Sequence, residues 1–571
     1  MIMYLVRNFC LFIAVSLVGA GNVHGAPHQM VVAANPHAAQ AGMEMLKAGG
    51  SAVDAAIAVQ LVLGLVEPQS SGIGGGAFLM HYDPFAPKDE RVTAYDGREM
   101  APAAATPHMF KDVFEQKKGF YDAVLGGRSV GTPSVVAMMY LAHKNHGKLP
   151  WQDLFVPAIH LAENGFKVSP RLHFLIARDK LLPKMKATRD YFFNSLGQAW
   201  PVGHLLKNPE YAESLKLIAE KGPDGFYKGE LAEKIVAAIR GSMYNPGKLT
   251  LADMANYVPK QRKAICGAYR VWTVCGMPPP SSGGGAVASI LGVLQSFDLK
   301  SMTPNSELAV HIILEAERLG YADRDMYMAD SDYVSVPLEM FTDPAYLAER
   351  SGKIDLAKSM GQAAAGKPPG DSHIAFGEGM TPELPSTTHF SILDQWGSMV
   401  SMTATVESAF GSRLMAGGFI LNNEMTDFSL IPERDGLPVA NRIEPGKRPR
   451  SSMSPTFVLD DEQRVVMTIG SPGGNSIIAY VTQTIINVLD WNMGMQQAID
   501  QPHFLTRGGT VYLERETDIT ALEMPLTRKG HQVKTRTINS GLHGIIIHYG
   551  EDGVRVEGGA DKRREGVVVT K

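Results

Sequence analysis

The most constraining feature of this 571-residue chain is a change of texture at one point, about two thirds of the way along. A polar, Gly/Pro-rich stretch from Ser351 to Leu384 leads through Pro385-Ser386 into Thr387-Thr388-His389-Phe390-Ser391-Ile392-Leu393, where apolar and polar residues alternate as in a strand. Before that point the pattern is mostly helical; after it, strands dominate. A small hydroxyl residue that opens a strand behind a cuttable loop suits a precursor that cleaves itself before Thr387. The freed threonine then carries an attacking hydroxyl and, in its own α-amine, a general base.

The texture on either side is readable in outline. Val31–Ala34 reads as a short buried strand. Asn35-Pro36 reads as a helix start that Gly49-Gly50 ends, and Ser51 with Asp54 as a capping-box start for the next helix. Ala264–Val274 looks like a hairpin, and helices are expected through Ile290–Leu294 and over Glu307–Leu319. Beyond Thr387, strands are expected at His389–Leu393 and Met399–Val406 around the Asp394–Gly397 turn. Further strands are expected at Phe419–Leu421, Thr456–Leu459 and Val465–Ile469, followed by a helix over Asn475–Leu489. Strands between helical layers fit an αββα arrangement.

A formal net charge of −4 and no long basic run give no case for nucleic acid or an anionic membrane. Arg7, the apolar run Phe9–Val18 and small residues with cuts after Ala20 or Gly25 read as a cleavable leader over residues 1–25, hence a periplasmic or secreted protein. Cys10 leaves with that leader. Cys266 and Cys275 remain, flanking a turn; either a disulfide or two separate thiols fits them.

Gly470-Ser471-Pro472-Gly473-Gly474 lies between an apolar strand and an apolar helix. Its glycines let backbone N–H groups approach a ligand, as an oxyanion hole requires; a plain tight turn and a phosphate loop are the rivals. Two motif matches fail on context. Gly127-Arg128-Ser129-Val130-Gly131 has the hydrolase G-x-S-x-G pattern but follows the polar Gln116-Lys117-Lys118-Gly119 rather than an apolar strand. Gly72–Ala77 has a dinucleotide-type glycine pattern but is preceded by a helix and Glu67-Pro68-Gln69. His389 shares a strand face with Thr387 and reads as a packed structural residue. No histidine or carboxylate spacing points to a metal, and no cofactor is expected.

Seven segments in order carry a family resemblance. They are Gly74-Gly75-Gly76, Asp96–Pro102 around Arg98, Pro278–Gly284, Thr387-Thr388-His389, Asn422–Phe428, Lys447–Pro455 and Gly470–Gly474. From about Val31 to near its end the chain resembles the γ-glutamyltransferases, N-terminal-nucleophile hydrolases with a four-layer αββα fold. The resemblance implies cleavage between Ser386 and Thr387 into a large (26–386) and a small (387–571) subunit that stay together as one unit. Thr387 is then the nucleophile, Thr405 orients it, and the Gly473 and Gly474 amides hold the oxyanion. Arg98, Ser451 and Ser452 take the donor's α-carboxylate; Glu424 and Asp427 take its α-ammonium. Implied partners are γ-glutamyl donors such as glutathione, with water or an amino acid or peptide amine as acceptor.

Two departures bear on the donor. Glu407 stands where well-known members have an asparagine that contacts the donor's amino group, and Leu430–Gly446 is short and lacks a tyrosine that some bacterial members place over the donor. Glu407 keeps alive a cephalosporin or glutaryl acylase with the same threonine machinery. An unprocessed, non-catalytic binding protein is the reading from another class.

Overall fold

A computed structural model describes residues 29–115, 119–370, 375–379, 381 and 386–571. The expected leader and the lead 382–385 into the cleavage point lie outside them. Among the described residues no helix is long and apolar enough to cross a membrane.

Two antiparallel sheets form the centre. The first has seven strands in the spatial order Val567–Thr570, Met30–Ala33, Thr388–Leu393, Met399–Thr405, Gly76–Tyr82, Val92–Gly97 and Lys260–Lys263. The second has six: Gly553–Ala560, His543–Gly550, Val465–Gly470, Thr456–Leu459, Trp272–Gly276 and Ile265–Tyr269. Alternation along the strands sorts side chains to two cores. Val31, Ala33, Ala77, Leu79, Phe390 and Ile392 face a helical layer that includes Pro36–Lys47 and Ala52–Val66. Met30, Val32, Phe78 and Met80 face the second sheet, which is covered in turn by helices Gly283–Leu294, Glu307–Tyr327 and Ile477–Leu489. The layers are therefore αββα, as expected.

Local chemistry explains the elements nearest Thr387. Asn35 accepts from His37 N at 3.0 Å and Pro36 opens the helix, while Gly49 at φ +89° leaves it. Ser51 and Asp54 exchange the two capping-box bonds. The Asp394 turn does two jobs. Its Oδ1 accepts from Trp396 N and Ser398 N, and its Oδ2 accepts from Ala52 N at 3.0 Å. The hairpin that carries Thr387 is thereby tied to the start of the buried helix beneath it.

Two expectations shift in extent. The helix expected over Glu307–Leu319 continues to Tyr327, with Gly320 packed so tightly that a Cβ there would fall 2.5 Å from Ile290 Cγ1. The Phe419–Leu421 strand reduces to Phe419–Ile420 paired with Met415–Ala416. The Ile265–Tyr269/Trp272–Gly276 hairpin places Cys266 opposite Cys275, and the two close a disulfide.

Candidate active site

Thr387 sits one residue before its strand, buried, with φ +80°. A β-branched residue in that left-handed region is strained by roughly 1–3 kcal/mol. The strain falls on the Ser386–Thr387 junction. Thr387 Oγ1 lies 3.1 Å from Thr405 Oγ1 at the end of the neighbouring strand. Thr405 Oγ1 also accepts from Glu407 N at 2.9 Å, which orients its hydroxyl. Ser386 Oγ donates to Gln69 O at 2.7 Å, and Thr387 O accepts from Arg564 Nη1 at 2.8 Å.

One cavity collects most of the residues singled out in the sequence. Arg98, Thr387, Thr405, Glu407, Asp427, Ser451, Ser452 and Gly474 line it, together with Met453 and Ile477, which sequence reasoning missed. Gly473 (φ +141°) precedes Gly474 in the turn between the strand Val465–Gly470 and the helix Ile477–Leu489. Glu424 does not line the cavity; it is fully buried behind Arg98. His389 stays out as well, hydrogen-bonded at 2.8 Å to Thr403 in the sheet interior.

Arg98 is the electrostatic hub. Its Nη1 meets Glu424 Oε1 at 2.9 Å, its Nη2 donates to Asp427 Oδ2, and Nε and Nη2 also donate to Pro449 O (3.1 Å) and Arg450 O (3.2 Å). The expected carboxylate-binding and ammonium-binding ends of the site are thus joined directly. Burial works against the Arg98 charge, but Glu424, Asp427 and Glu99 more than offset it and hold its pKa above the usual value. The acids feel the converse. Burial pushes Glu424 well above the carboxylate range and Glu99 to about 8, against the pull of Arg98, with neighbouring acids adding to the rise. Glu407 is held by the Asn423 side-chain amide, which donates to Oε2, and its own φ is +75°.

A second layer holds the serines. Ser282 Oγ donates to Ser451 O (2.7 Å) and Ser281 Oγ to Met453 O (2.6 Å), which explains the hydroxyls of the Pro278–Gly284 segment. A Cβ on Gly283 would fall 2.2 Å from Ser454 Oγ, so that position needs glycine. Arg324, on the helix Glu307–Tyr327, donates to Ser452 Oγ at 2.6 Å and to Ser282 Oγ at 2.8 Å. One of two arginines on a long amphipathic helix, it gives no sequence signal for this role.

The rejected motifs resolve as structure. Ser129 is buried in a 3₁₀ turn and donates to Val124 O and Gly126 O. Gly74 and Gly75 pass so close to Ile420 O and Thr405 O that a Cβ would fall 2.1 and 2.0 Å from them. Among the described residues His311, Glu315 and His531 cluster in a metal-like way. A cation already occupies that neighbourhood: Arg318 donates to Glu315 Oε1 (3.1 Å) and lies 3.3 Å from His531 Nδ1. Ser359 Oγ and Met360 N complete the Glu315 carboxylate.

The family model for gamma-glutamyltranspeptidase matches residues 38–570. The chain is 35% identical over 548 residues to a glutathione hydrolase proenzyme of Bacillus subtilis (strain 168), covering 95% of this chain and 91% of that one. It is 38% identical over 484 residues to a glutathione hydrolase proenzyme of Escherichia coli (strain K12), covering 83% and 80%. Among solved structures, a cephalosporin acylase from Bacillus halodurans superposes over 100% of this chain and 99% of its own, with a TM-score of 0.81 and 27% identity. On its sequence and on its αββα architecture, the chain belongs to the gamma-glutamyltranspeptidase family of enzymes.

Proposed function

We propose that the protein is a self-processing γ-glutamyltransferase that hydrolyses glutathione and related γ-glutamyl compounds through an ester on Thr387. The observation that carries the reading is the 3.1 Å contact between the Thr387 and Thr405 hydroxyls, in one cavity with Arg98, Asp427, Ser451 and Ser452. Cleavage between Ser386 and Thr387 separates a large subunit, 26–386, from a small one, 387–571. Both sheets support lasting association: in the first, Met30–Ala33 of the large subunit pairs with Thr388–Leu393 and Gly76–Tyr82 pairs with Met399–Thr405, and in the second, Trp272–Gly276 pairs with Thr456–Leu459. The leader and the Cys266–Cys275 disulfide favour a periplasmic or secreted location.

In turnover the freed α-amine takes the Thr387 Oγ proton as the oxygen attacks the donor's γ-carbonyl. An α-amine titrates near pH 8 when unperturbed, so its base form is within reach of neutrality. The Gly473 and Gly474 amides, at the start of a helix, stabilise the oxyanion. Collapse expels the donor's amine with that proton and leaves a γ-glutamyl ester. Water, or the amine of an amino acid or peptide, then attacks the ester, giving up its proton to the α-amine and regenerating Thr387. Ser451 and Ser452, backed by Arg324, complete the α-carboxylate's hydrogen bonds beside Arg98. Asp427 and Glu407, which line the cavity, receive the ammonium, while Glu424 behind Arg98 holds the guanidinium in place.

A glutaryl or cephalosporin acylase is the second reading, favoured by the superposition on the Bacillus halodurans acylase. A glutaryl group brings no ammonium to Asp427, the retained acid in the cavity, so we rank it second. The test is parallel hydrolysis of γ-glutamyl and glutaryl anilides by the cut protein. Preference for the γ-glutamyl anilide supports the first reading; preference for the glutaryl anilide replaces it with the second. An uncut chain inactive on both leaves a binding protein.

A further inference from the structure

Thr387 has two sides. Its hydroxyl faces the donor cavity; its carbonyl faces a group of buried charges that the cycle above leaves unassigned. Arg564, in the turn before the last strand, donates from Nη1 to Thr387 O at 2.8 Å and from Nε to Ser540 O at 2.7 Å. Glu67, at the end of the helix Ala52–Val66, is 1% exposed, and Arg171 Nε stands 3.9 Å from its Oε1. Arg171 belongs to the helix Pro170–Arg178, and its backbone N donates to Glu565 Oε1 at 3.1 Å. Residues hundreds of positions apart thus converge behind the nucleophile.

We propose that Arg564 is the positioning residue of the N-terminal threonine: it clamps the Thr387 carbonyl and holds the α-amine beside a fixed positive charge, which Glu67 partly balances. The inference rests on the reading of Thr387 as a freed N-terminal nucleophile. A residue's carbonyl oxygen and its α-nitrogen share one Cα, so a guanidinium bonded to the first lies within roughly 6 Å of the second. At that range a like charge disfavours the ammonium, and the amine gives up its proton at lower pH. The carbonyl bond also fixes the Thr387 ψ angle, which keeps Oγ turned to the cavity.

The surrounding charges are known from each packed element. Arg564 faces Arg171, Glu67, Asp561 and Tyr480; Glu67 faces Arg171, Arg564 and Glu565. Arg98, Glu407 and Asp427 stand on the cavity side, and His389, on the nucleophile's own strand, is kept neutral by burial. Burial and then Arg171 push the Arg564 pKa down to about 9, with Glu67 and Asp561 pulling the other way, so the guanidinium remains charged at neutral pH. Burial raises the Glu67 pKa, opposed by Arg171 and Arg564.

The test compares Arg564→Gln, Arg564→Lys and Glu67→Gln in the full chain, reading self-cleavage and the pH profile of kcat/KM on a γ-glutamyl anilide. Arg564→Gln should move the acid limb up by about one unit, and Arg564→Lys should leave it within about 0.3 unit of the parent. Glu67→Gln, which strips the balancing charge, should move it down. Shifts of opposite sign from the two neutralisations are not what a packing defect produces. Cut, active variants with unmoved limbs, or limbs moved the same way, overturn the proposal. Should Arg564→Gln not mature, Arg564→Lys and Glu67→Gln still decide it: an unmoved limb in Glu67→Gln sinks the idea. A parent chain that is never cut fails the Thr387 reading instead, and is seen before any profile is measured.

Discussion

Replacing Arg98 by lysine keeps the charge and removes the fork. The guanidinium serves Glu424 at 2.9 Å, the Asp427 carboxylate, and the carbonyls of Pro449 and Arg450. A single ammonium on a flexible stem cannot reproduce that planar set. In the donor complex the substituted site loses at least one charge-assisted hydrogen bond to the α-carboxylate, a loss of about 1.5–3 kcal/mol. At about 1.4 kcal/mol per decade, donor KM should rise roughly tenfold to a hundredfold. The effect on kcat should be smaller, because the α-carboxylate assigned to Arg98 is remote from the reacting carbonyl. The assay is steady-state hydrolysis of a γ-glutamyl anilide by cut, folded Arg98→Lys protein, with thermal unfolding run alongside. A melting temperature below the parent's is expected, since buried carbonyls lose partners. A properly cut variant whose donor KM stays within about twofold of the parent would refute the assignment of Arg98 to the donor site.

Three further outcomes are expected. Thr387→Ala should give one uncut chain with no turnover on denaturing gels and in anilide assays, whereas a cut, active variant would remove Thr387 from the chemistry. The double change Cys266→Ser, Cys275→Ser should cost about 2–3 kcal/mol of stability, the loop-closure value for so short a loop, and leave kcat/KM unaltered because neither cysteine lines the cavity. Glu317 is buried, accepts from Thr506 N and the Gln483 amide, and has its pKa raised by burial to about 8. A carboxyl whose folded pKa exceeds its unfolded value near 4.5 loses stability as pH rises between the two, so the melting-temperature gap of Glu317→Gln over the parent should widen from pH 5 to pH 8. A gap that is constant with pH would show that Glu317 does not titrate in that window.

The elements legible in the sequence were those with local causes. The Ser51–Asp54 capping box, the Asn35-Pro36 helix start and the Asp394 turn are written within a few residues, and the structure has each of them. Arg98 was legible only through its motif; as an isolated letter it reads as a surface arginine, yet it is fully buried among acids 326 and 329 positions away. Arg324, Arg564 and Glu67 gave no signal, because their partners Ser452, Thr387 and Arg171 lie more than a hundred positions away and only the tertiary fold brings them near. The helix Glu307–Tyr327 points Arg324 at Ser452 across 128 residues, and Arg564 reaches Thr387 across 177. Ser281 and Ser282 were visible as letters, but their role as braces for 451–453 depends on that same tertiary approach.

The central claim is that Thr387 becomes an N-terminal nucleophile, and the intact mass of the purified protein under denaturing conditions tests it most directly. The account predicts two chains, the smaller of about 20 kDa, the share of 61.8 kDa that residues 387–571 represent, with Thr387 at its amino terminus. A single uncut chain that nonetheless turns over a γ-glutamyl anilide, or a cut at any other residue, would contradict it.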